Sequence, residues 1–212
     1  RLMSSPLKIA VFISGTGSNL GSIIRNQSKY NYQVVLVVSN KESAKGLDFA
    51  REPNIPFYTF QWNKEDKELW HLQEQISLQQ CELIVLAGFM KILPEPFTKA
   101  YKNKIINIHP SLLPKYPGLH THQRALDNGD EFHGATVHYV NEELDAGQRI
   151  SQTIIETKGC NDADSLATRL LVREHSLFPY TIGLIAANRV TWQNDELYLD
   201  GEKLTEPVIF NE

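Results

Sequence analysis

The chain has 212 residues, of which 42% are hydrophobic and 22% are charged. This composition excludes disordered and fibrous proteins, and the length predicts one substantial domain with a buried core. The formal net charge of -4 at pH 7 excludes the broad basic surface of a protein that binds nucleic acid. A small anionic ligand is still allowed, because one phosphate needs only a few local donors.

The cysteines and the apolar runs bear on the cellular compartment. Cys81 and Cys160 are too few for a disulfide framework, so we expect a reducing cytoplasm. The longest apolar runs, VVLVV and LIVLAGFM, are far shorter than the roughly 20 residues of a membrane-spanning helix. The N-terminal apolar segment is short and leads into a glycine-rich turn, which favours a first β-strand over a signal peptide.

Buried strands and helices alternate along the first half of the sequence. The predicted strands cover residues 7–13, 33–40, 55–60, 82–88 and 104–110. The predicted helices cover residues 20–30, 44–52 and 64–80, and another begins at Pro94. Strands that are apolar on both faces and alternate with helices are typical of a parallel sheet. Right-handed crossovers then place helices on both faces, which is a Rossmann-like, mostly parallel α/β fold.

The pattern changes after residue 110. Residues 135–156 alternate polar and apolar side chains around the turn-like ELDAGQ, which predicts an antiparallel strand pair. A long helix over residues 162–188 and a terminal hairpin closed at Asn194 and Asp195 are expected to follow. We therefore expect a single domain over residues 1–212, with an antiparallel C-terminal extension. Its nucleotide-binding βα half would cover 1–110, and its second half, 111–212, would hold a loop, the antiparallel strands, the long helix and the hairpin.

The segment SGTGSN, residues 14–19, lies between the first predicted strand and the first predicted helix. Backbone amides at such a helix start, together with the side chains of Ser18 and Asn19, can bind an anion. The segment is not a dinucleotide fingerprint, because Leu20 occupies the position of the third glycine. No GK[ST] sequence follows that would make a P-loop. Two interpretations stay open: a site for a single phosphate, or a tight turn that binds nothing.

The strand over residues 104–110 carries Asn107 and His109 near its carboxyl end. Residues two apart in a strand point to the same side, and ligands of parallel sheets bind beyond the carboxyl ends of the strands. An amide can stabilise an oxyanion, and an imidazole can transfer protons near neutral pH. Asp145, in the ELDAGQ turn, is a candidate to orient this histidine, although aspartates in turns more often bond to their own backbone.

Other polar patterns have weaker chemical interpretations. His120 and His122 form an HTH triplet, but no cysteine or carboxylate stands at a spacing typical of a zinc site. We interpret His120, His122 and His138 as hydrogen-bonding groups of loops or surface. Ser111 lacks the GxSxG context of a nucleophile. The run FMKILPEPF, residues 89–97, would either line a pocket for a flat ligand or pack in the core.

Four segments, in order along nearly the whole chain, resemble the glycinamide ribonucleotide formyltransferases, the folate-dependent enzymes of early purine synthesis. These segments are SGTGSNL, LAGFMKIL, NIHPSLLPKYPGLHTHQRAL and HYVNEELDAGQRI. NIHPSLLP alone indicates only the wider formyltransferase group, which includes methionyl-tRNA formyltransferase and formyltetrahydrofolate deformylase. KYPGLHTH is the discriminating part, because the other members continue differently after this point.

The resemblance implies transfer of a formyl group from 10-formyltetrahydrofolate to the amine of 5-phosphoribosylglycinamide, without a metal or a covalent enzyme intermediate. It aligns Asn107, His109 and Asp145 with the catalytic trio of the family. Asn107 and protonated His109 would stabilise the oxyanion of a tetrahedral intermediate. Asp145 would favour the protonated imidazole and hold a water that relays a proton from the amine to the departing folate nitrogen.

The resemblance also implies which residues bind the two substrates. For the ribonucleotide these are Gly17, Ser18, Asn19, Pro110 and Glu174. For the folate these are Lys64, Met90, Lys91, Ile92, Leu93, Asn107, Asn141, Glu142, Glu143, Leu144 and Asp145. Three positions depart from the family pattern. Lys64 and Lys91 stand where arginines are frequent, which removes a planar fork for carboxylates, and Leu171 stands where relatives can have glutamine.

Two other functions would use parts of the same site. A formyltetrahydrofolate hydrolase would employ Asn107, His109 and Asp145 with water as the acceptor, and a noncatalytic nucleotide-binding module would need only the SGTGSN segment. The expected partners are the two small-molecule substrates, with no nucleic acid and no membrane. The chain is expected to be a monomer or a homodimer.

Overall fold

The computed structural model describes residues 5–61 and 66–212, and in this part the chain forms a sheet flanked by helices. The strands are β1 (Leu7–Ile13), β2 (Tyr32–Ser39), β3 (Phe57–Thr59), β4 (Leu83–Leu86), β5 (Ile105–His109), β6 (Phe132–Tyr139), β7 (Arg149–Glu156), β8 (Val190–Gln193), β9 (Glu196–Leu199), β10 (Glu202–Lys203) and β11 (Val208–Ile209). The helices are α1 (Ser18–Arg25), α2 (Gln27–Tyr30), α3 (Asp48–Arg51), α4 (Asp66–Leu78), α5 (Glu95–Ala100), α6 (Thr121–Asp127) and α7 (Ala163–Ala186).

Within the described residues, the main sheet has eight strands in the order β11-β7-β6-β5-β4-β1-β2-β3. Strands β1 to β5 are parallel, whereas β6 runs antiparallel to both β5 and β7. Strands β8 to β10 form a separate antiparallel sheet. The prediction of a Rossmann-like, mostly parallel sheet with an antiparallel C-terminal extension is therefore confirmed.

Strand β1 lies at the point where the strand order reverses. Its neighbours are β2 on one side and β4 on the other, so the connections after β1 and β4 leave in opposite directions. A crevice opens beyond the carboxyl ends of such a strand pair, and this is where open α/β sheets bind ligands. The segments that follow β1 and β4, together with the end of β5 and Pro110 after it, carry most of the predicted site residues and lie at this edge.

The hydrophobic core fixes the position of β1, whose carboxyl end is part of this edge. Ile9, Val11 and Ile13 pack on one face of β1 with residues of α1 and α7, while Ala10 and Phe12 pack on the other face with residues of α4 and α5. All five side chains are fully buried. Burial of a large aliphatic or aromatic side chain contributes roughly 1.5–3 kcal/mol, so β1 is a firmly held base for the loop that follows it.

Helix α7 confirms the predicted long helix and brings one carboxyl group into the interior. The carboxylate of Asp162 accepts a hydrogen bond of 2.7 Å from the backbone N–H of Ser165 and so caps the helix. Leu170, Glu174 and Leu177 follow the helical spacing of one buried face. Glu174 therefore reaches the core because its neighbours on this face are apolar.

The terminal hairpin also forms as predicted. Asn194 and Asp195 connect β8 to β9 with φ angles of 52° and 61°. Two successive left-handed residues make the type I′ turn, which matches the twist of the flanking strands. The predicted antiparallel pair over residues 135–156 is present as β6 and β7.

Three regions differ from the sequence-based predictions. Residues 44–52 form a short 3-10 turn and the single-turn α3, because the N–H of Gly46 bonds to the carbonyl of Gly15 instead of continuing a helix. Helix α6 occupies part of the predicted loop 111–133; it begins after a left-handed His120 without a capping side chain, so it lacks the usual start signal. Strand β11 pairs with β7 through two residues, too few to give a period.

The described residues, 5–61 and 66–212, contain no helix that combines the length and the apolar character needed to span a bilayer.

We predict that Gly17→Ala destabilises the fold whereas Gly15→Ala does not. Gly17 has a φ of 68°, and an added Cβ would lie 2.7 Å from the Cα of Gly46. The left-handed backbone and the backbone overlap together cost about 2 kcal/mol or more. At Gly15 an added Cβ would meet nothing within 4 Å, and the change should stay within ~0.5 kcal/mol. Urea unfolding measures both values, and equal stability of the two variants would contradict the constraint.

Candidate active site

The loop after β1 is built by a glycine in a left-handed conformation. Gly17 precedes α1 with a φ of 68°, which turns the chain sharply and directs the first N–H groups of α1 toward the carboxyl edge of the sheet. Ser18 and Asn19 form the first turn of this helix. A helix start of this kind presents backbone donors and a partial positive charge to an anion.

Ser14 ties this loop to the neighbouring strands. Its hydroxyl donates a 2.6 Å hydrogen bond to Oδ1 of Asn40, which follows β2. The same oxygen accepts a 2.8 Å hydrogen bond from the backbone N–H of Met90, which follows β4. The segments after β1, β2 and β4 are thus joined through one side chain.

Asn19 and Glu174 form a buried polar pair beside this loop. Nδ2 of Asn19 lies 3.5 Å from Oε1 of Glu174, while Oδ1 of Asn19 is buried without a hydrogen-bond partner. Burial raises the pKa of Glu174 to about 7, against a smaller opposing effect of the bond from Asn19. Buried polar atoms are normally satisfied, so this pair has hydrogen-bonding capacity that a ligand can use.

Asn107 and His109 lie on β5, which pairs with β6. Asn107 is paired with His138, and His109 with Thr136. Nδ1 of His109 lies 3.5 Å from Oδ2 of Asp145, and both side chains are almost fully buried. The turn after β6 therefore brings Asp145 to His109. The sequence identified both residues as candidates but could not show that they meet.

Both ring nitrogens of His109 face oxygen atoms. Nε2 lies 2.8 Å from the backbone carbonyl of Tyr116, and a carbonyl can only accept, so Nε2 carries a hydrogen. Nδ1 faces the carboxylate of Asp145, which is favourable when Nδ1 also carries a hydrogen. Two oxygen acceptors, one of them a carboxylate, therefore face the two ring nitrogens of His109.

The carboxylate of Asp145 is held in place by the backbone. Oδ2 accepts a 2.8 Å hydrogen bond from the N–H of Gly118, and Asp145 itself is left-handed with a φ of 52°. Gly147 lies so close to β6 that an added Cβ would be 1.8 Å from the carbonyl oxygen of Tyr139. This turn accepts no side chain at residue 147, which limits where Asp145 can lie.

His138 was interpreted from the sequence as a hydrogen-bonding group of a loop or the surface; it does form hydrogen bonds, but the expected location is wrong. It lies on β6 and is buried. Nδ1 donates to the carbonyl of Tyr139 at 2.9 Å, so Nε2 is the acceptor, and Nδ2 of Asn107 lies 3.4 Å from it. Burial lowers the pKa of His138. The neutral ring therefore orients the amide of Asn107, a role that only the strand register could have indicated.

His120 and His122 were also expected in a loop, but His122 lies in α6 and His120 caps it. Nδ1 of His122 lies 3.0 Å from Nε2 of His133, so these two rings bond to each other. Burial lowers the pKa of His133 to about 4 and lowers that of His122. In the described part of the chain, no group of His, Cys, Asp or Glu side chains is arranged to hold a metal ion.

The run over residues 89–97 divides between the two interpretations. Leu93 and Phe97 pack in the core, whereas Met90 and Ile92 are among the most exposed apolar side chains, at 70% and 78%. Leu144, in the turn that carries Asp145, is 62% exposed. An apolar surface therefore borders the crevice, and Leu93 supports it from below.

The remaining predicted site residues lie in different surroundings. Pro110 follows His109 at the end of β5 and is half-buried, while Lys91, Asn141, Glu142 and Glu143 are exposed. Leu171 is half-buried on α7, one turn before Glu174. Ser111 is fully buried and donates to the carbonyl of Lys115 at 2.6 Å. Lys64 lies outside the described residues.

Comparison with known proteins gives consistent results over nearly the full chain. The model of the formyl transferase family matches residues 7–182. The phosphoribosylglycinamide formyltransferase of Escherichia coli K12 is 41% identical over 93% of this chain and 96% of its own length. The enzyme of the same name from Haemophilus influenzae is 38% identical over 97% of this chain and 99% of its own.

Solved structures agree with the sequence comparison. The phosphoribosylglycinamide formyltransferase of Coxiella burnetii, solved in complex with CHES, superimposes with a TM-score of 0.90 at 39% identity and covers 97% of this chain. The corresponding structure from Anaplasma phagocytophilum gives 0.86 at 37% identity over 96% of this chain. These matches cover 99% and 98% of the two solved chains. The chain belongs to the formyl transferase family.

Proposed function

We propose that the chain transfers the formyl group of 10-formyltetrahydrofolate to the amine of 5-phosphoribosylglycinamide, a step of de novo purine biosynthesis. The observation that carries the proposal is the convergence of Asn107, His109 and Asp145 at the same edge of the sheet as the loop after β1, the candidate phosphate site. The relatives that match over nearly their full length carry the name of this activity.

In the proposed reaction the neutral amine attacks the formyl carbon, and the carbonyl oxygen becomes an oxyanion. The amide of Asn107 and an N–H of His109 stabilise this charge by hydrogen bonding. The 3.5 Å separation between Nδ1 of His109 and Asp145 exceeds a normal hydrogen bond. Nδ1–H is therefore not engaged in a strong bond and is available to the substrate oxygen.

Asp145 has two proposed tasks. Its negative charge favours the imidazolium form of His109, because an opposite charge nearby stabilises the charged ring. Oδ1 of Asp145 can hold a water that takes a proton from the amine and passes it to the departing folate nitrogen. The products are the N-formyl ribonucleotide and tetrahydrofolate.

Positioning of two substrates supplies much of the remaining catalysis. Good alignment of the amine and the formyl carbon can lower the barrier by roughly 7–11 kcal/mol. This is why the proposed mechanism needs neither a metal nor a covalent intermediate on the protein.

The ribonucleotide would lie along the loop after β1. Its phosphate would accept hydrogen bonds from Gly17, Ser18 and Asn19, next to Pro110. The carboxyl group of Glu174 would bond to the sugar, beside the unpartnered Oδ1 of Asn19.

The folate would bind on the other side of the reacting centre. The apolar surface of Met90 and Ile92, supported by Leu93, would contact its pterin, and the turn 141–145 would border the ring from the opposite side. Lys91 would face the glutamate carboxylates of the folate, and Lys64, outside the described residues, stays a predicted folate-binding residue. A lysine offers a point charge there and not the planar fork of an arginine.

We predict that Asp145→Asn lowers kcat by about 10²-fold or more, the scale of a lost proton-transfer group. The amide keeps the shape of the side chain but removes the charge beside His109. Formyl transfer is measured by the formation of tetrahydrofolate, with and without the ribonucleotide. Glu42→Gln, an exposed carboxylate-to-amide change, is the matched control and should retain wild-type rates.

Two results of this assay would contradict the proposed function. Folate turnover that does not need the ribonucleotide would indicate a formyltetrahydrofolate hydrolase. Binding of the ribonucleotide without any turnover by the wild-type chain would indicate a noncatalytic module.

We predict that Asn19→Ala raises the KM for the ribonucleotide about tenfold while the KM for the folate changes less than about twofold, because the lost bond involves one substrate. Ser18→Ala should act in the same direction. Ser28→Ala, an exposed serine on α2, should change neither constant. Equal increases of both KM values in Asn19→Ala would refute the phosphate assignment.

We predict that Glu174 makes stability fall as the pH rises from about 5 to 8. Its pKa is raised to about 7 in the folded chain, so the folded state binds the extra proton between roughly pH 4.5 and 7. The stabilisation is complete below pH 4.5 and is lost as the pH passes 7, by at most about 3 kcal/mol.

Glu174→Gln, which resembles the protonated acid, should remove this trend. The test is the difference between the unfolding free energies of the wild type and this variant across the pH range. Taking the difference cancels the titration of the buried histidines. A difference that does not change with pH would show that Glu174 keeps an ordinary pKa.

A further inference from the structure

We propose that Tyr116 is a positioning residue for His109, in that its anchored side chain holds its own backbone carbonyl against Nε2 of the imidazole. The inference rests on the proposed formyl transfer for its catalytic meaning. It concerns a residue to which neither the sequence motifs nor the proposed mechanism assigns a role.

The backbone of Tyr116 is shaped for this contact. Tyr116 is left-handed with a φ of 53°, an uncommon conformation for an aromatic residue. Its carbonyl oxygen lies 2.8 Å from Nε2 of His109. A residue in such a conformation requires support from its surroundings, so the side chain should show what maintains it.

The phenol of Tyr116 is anchored by two side chains near the end of α6. Its hydroxyl donates a 2.5 Å hydrogen bond to Oδ2 of Asp130. The same oxygen accepts a 2.8 Å hydrogen bond from Nδ2 of Asn128. Asp130 is in turn held by its own backbone, whose N–H bonds to the carbonyl of Ala125. Both hydrogen-bonding functions of the phenol are therefore used.

The ring and the following residues are fixed by Arg124 of α6. The guanidinium carbon lies 5.1 Å from the ring centroid of Tyr116, within the range of a cation–π contact. The same guanidinium donates to the carbonyls of Pro117 and Leu119, at 2.6 Å and 3.3 Å. Segment 116–119 is thereby attached to α6 as one unit.

This unit contacts both members of the His109–Asp145 pair. The carbonyl of Tyr116 bonds to the imidazole, and the N–H of Gly118 bonds to the carboxylate at 2.8 Å. The first bond assigns a hydrogen to Nε2 and fixes the plane of the ring. Nδ1 is then directed to Asp145 and to the reacting centre. Residues around a catalytic side chain generally have this task of fixing its orientation.

The test is Tyr116→Phe, which keeps the ring, its packing and its contact with Arg124 but removes the hydroxyl. We expect kcat to fall about tenfold, as small displacements of a catalytic group do, while both KM values stay within about twofold. We also expect the imidazole Nε2–H of His109, observed by ¹⁵N NMR and assigned with His109→Ala, to exchange with water about tenfold faster than in the wild type.

Matched variants separate positioning from general destabilisation. Gln123→Ala removes an exposed side chain of α6 whose Nε2 donates to Oδ1 of Asp127, and it should change neither readout. Asn128→Ala removes one of the two bonds to the phenol and should give an intermediate effect on both. Asn128→Ala also decides the question if Tyr116→Phe does not fold.

Two outcomes overturn the proposal. One is a wild-type exchange rate of the Nε2–H in Tyr116→Phe, whatever its activity. The other is a faster exchange rate with an unchanged kcat, since the bond would then not matter for the reaction. Absence of formyl transfer in the wild-type chain would refute the proposed function, while the exchange rates would still show whether Tyr116 holds His109.

Discussion

The structure depends on one constraint, the position of the His109 imidazole between a carbonyl and a carboxylate. Each of these two oxygens comes from a different loop, one between β5 and α6 and the other between β6 and β7. Strand β6 runs antiparallel to β5 with Tyr139 opposite Ile106, so the β6–β7 loop begins near the amino end of β5 and folds back to bring Asp145 to the ring.

Burial distributes charge among the histidines around this centre. His138 and His133 are buried with lowered pKa values, and their bonds suit neutral rings. His109 instead faces two acceptors, of which one is anionic. Burial therefore favours the neutral ring at His138 and at His133. The same principle, with the opposite sign, applies to Glu174, where burial without a cation favours the neutral acid.

The parts of the fold that could be predicted are those that depend on local sequence patterns, such as apolar runs and turn residues. Continuous apolar runs identified β1, β2, β4 and β5, and the Asn194–Asp195 pair identified the hairpin. The position of Asn107 and His109 at a strand end followed from the same pattern. The role of the Tyr116 carbonyl and the tautomer of His138 depend on tertiary contacts that no spacing encodes. Helix α6 was missed because its neighbours in space, and not its own periodicity, stabilise it.

Ser14 gives the crevice a mechanical property. One hydroxyl group bonds simultaneously to the segment after β2 and to the backbone of Met90 after β4. The loop after β1, which would bind the ribonucleotide, and the segment at Met90, which would contact the folate, are therefore linked and are expected to move together. The opposite side of the crevice is held in the same way, because the segment around Tyr116 and the turn at Asp145 are joined by the hydrogen bond from the N–H of Gly118.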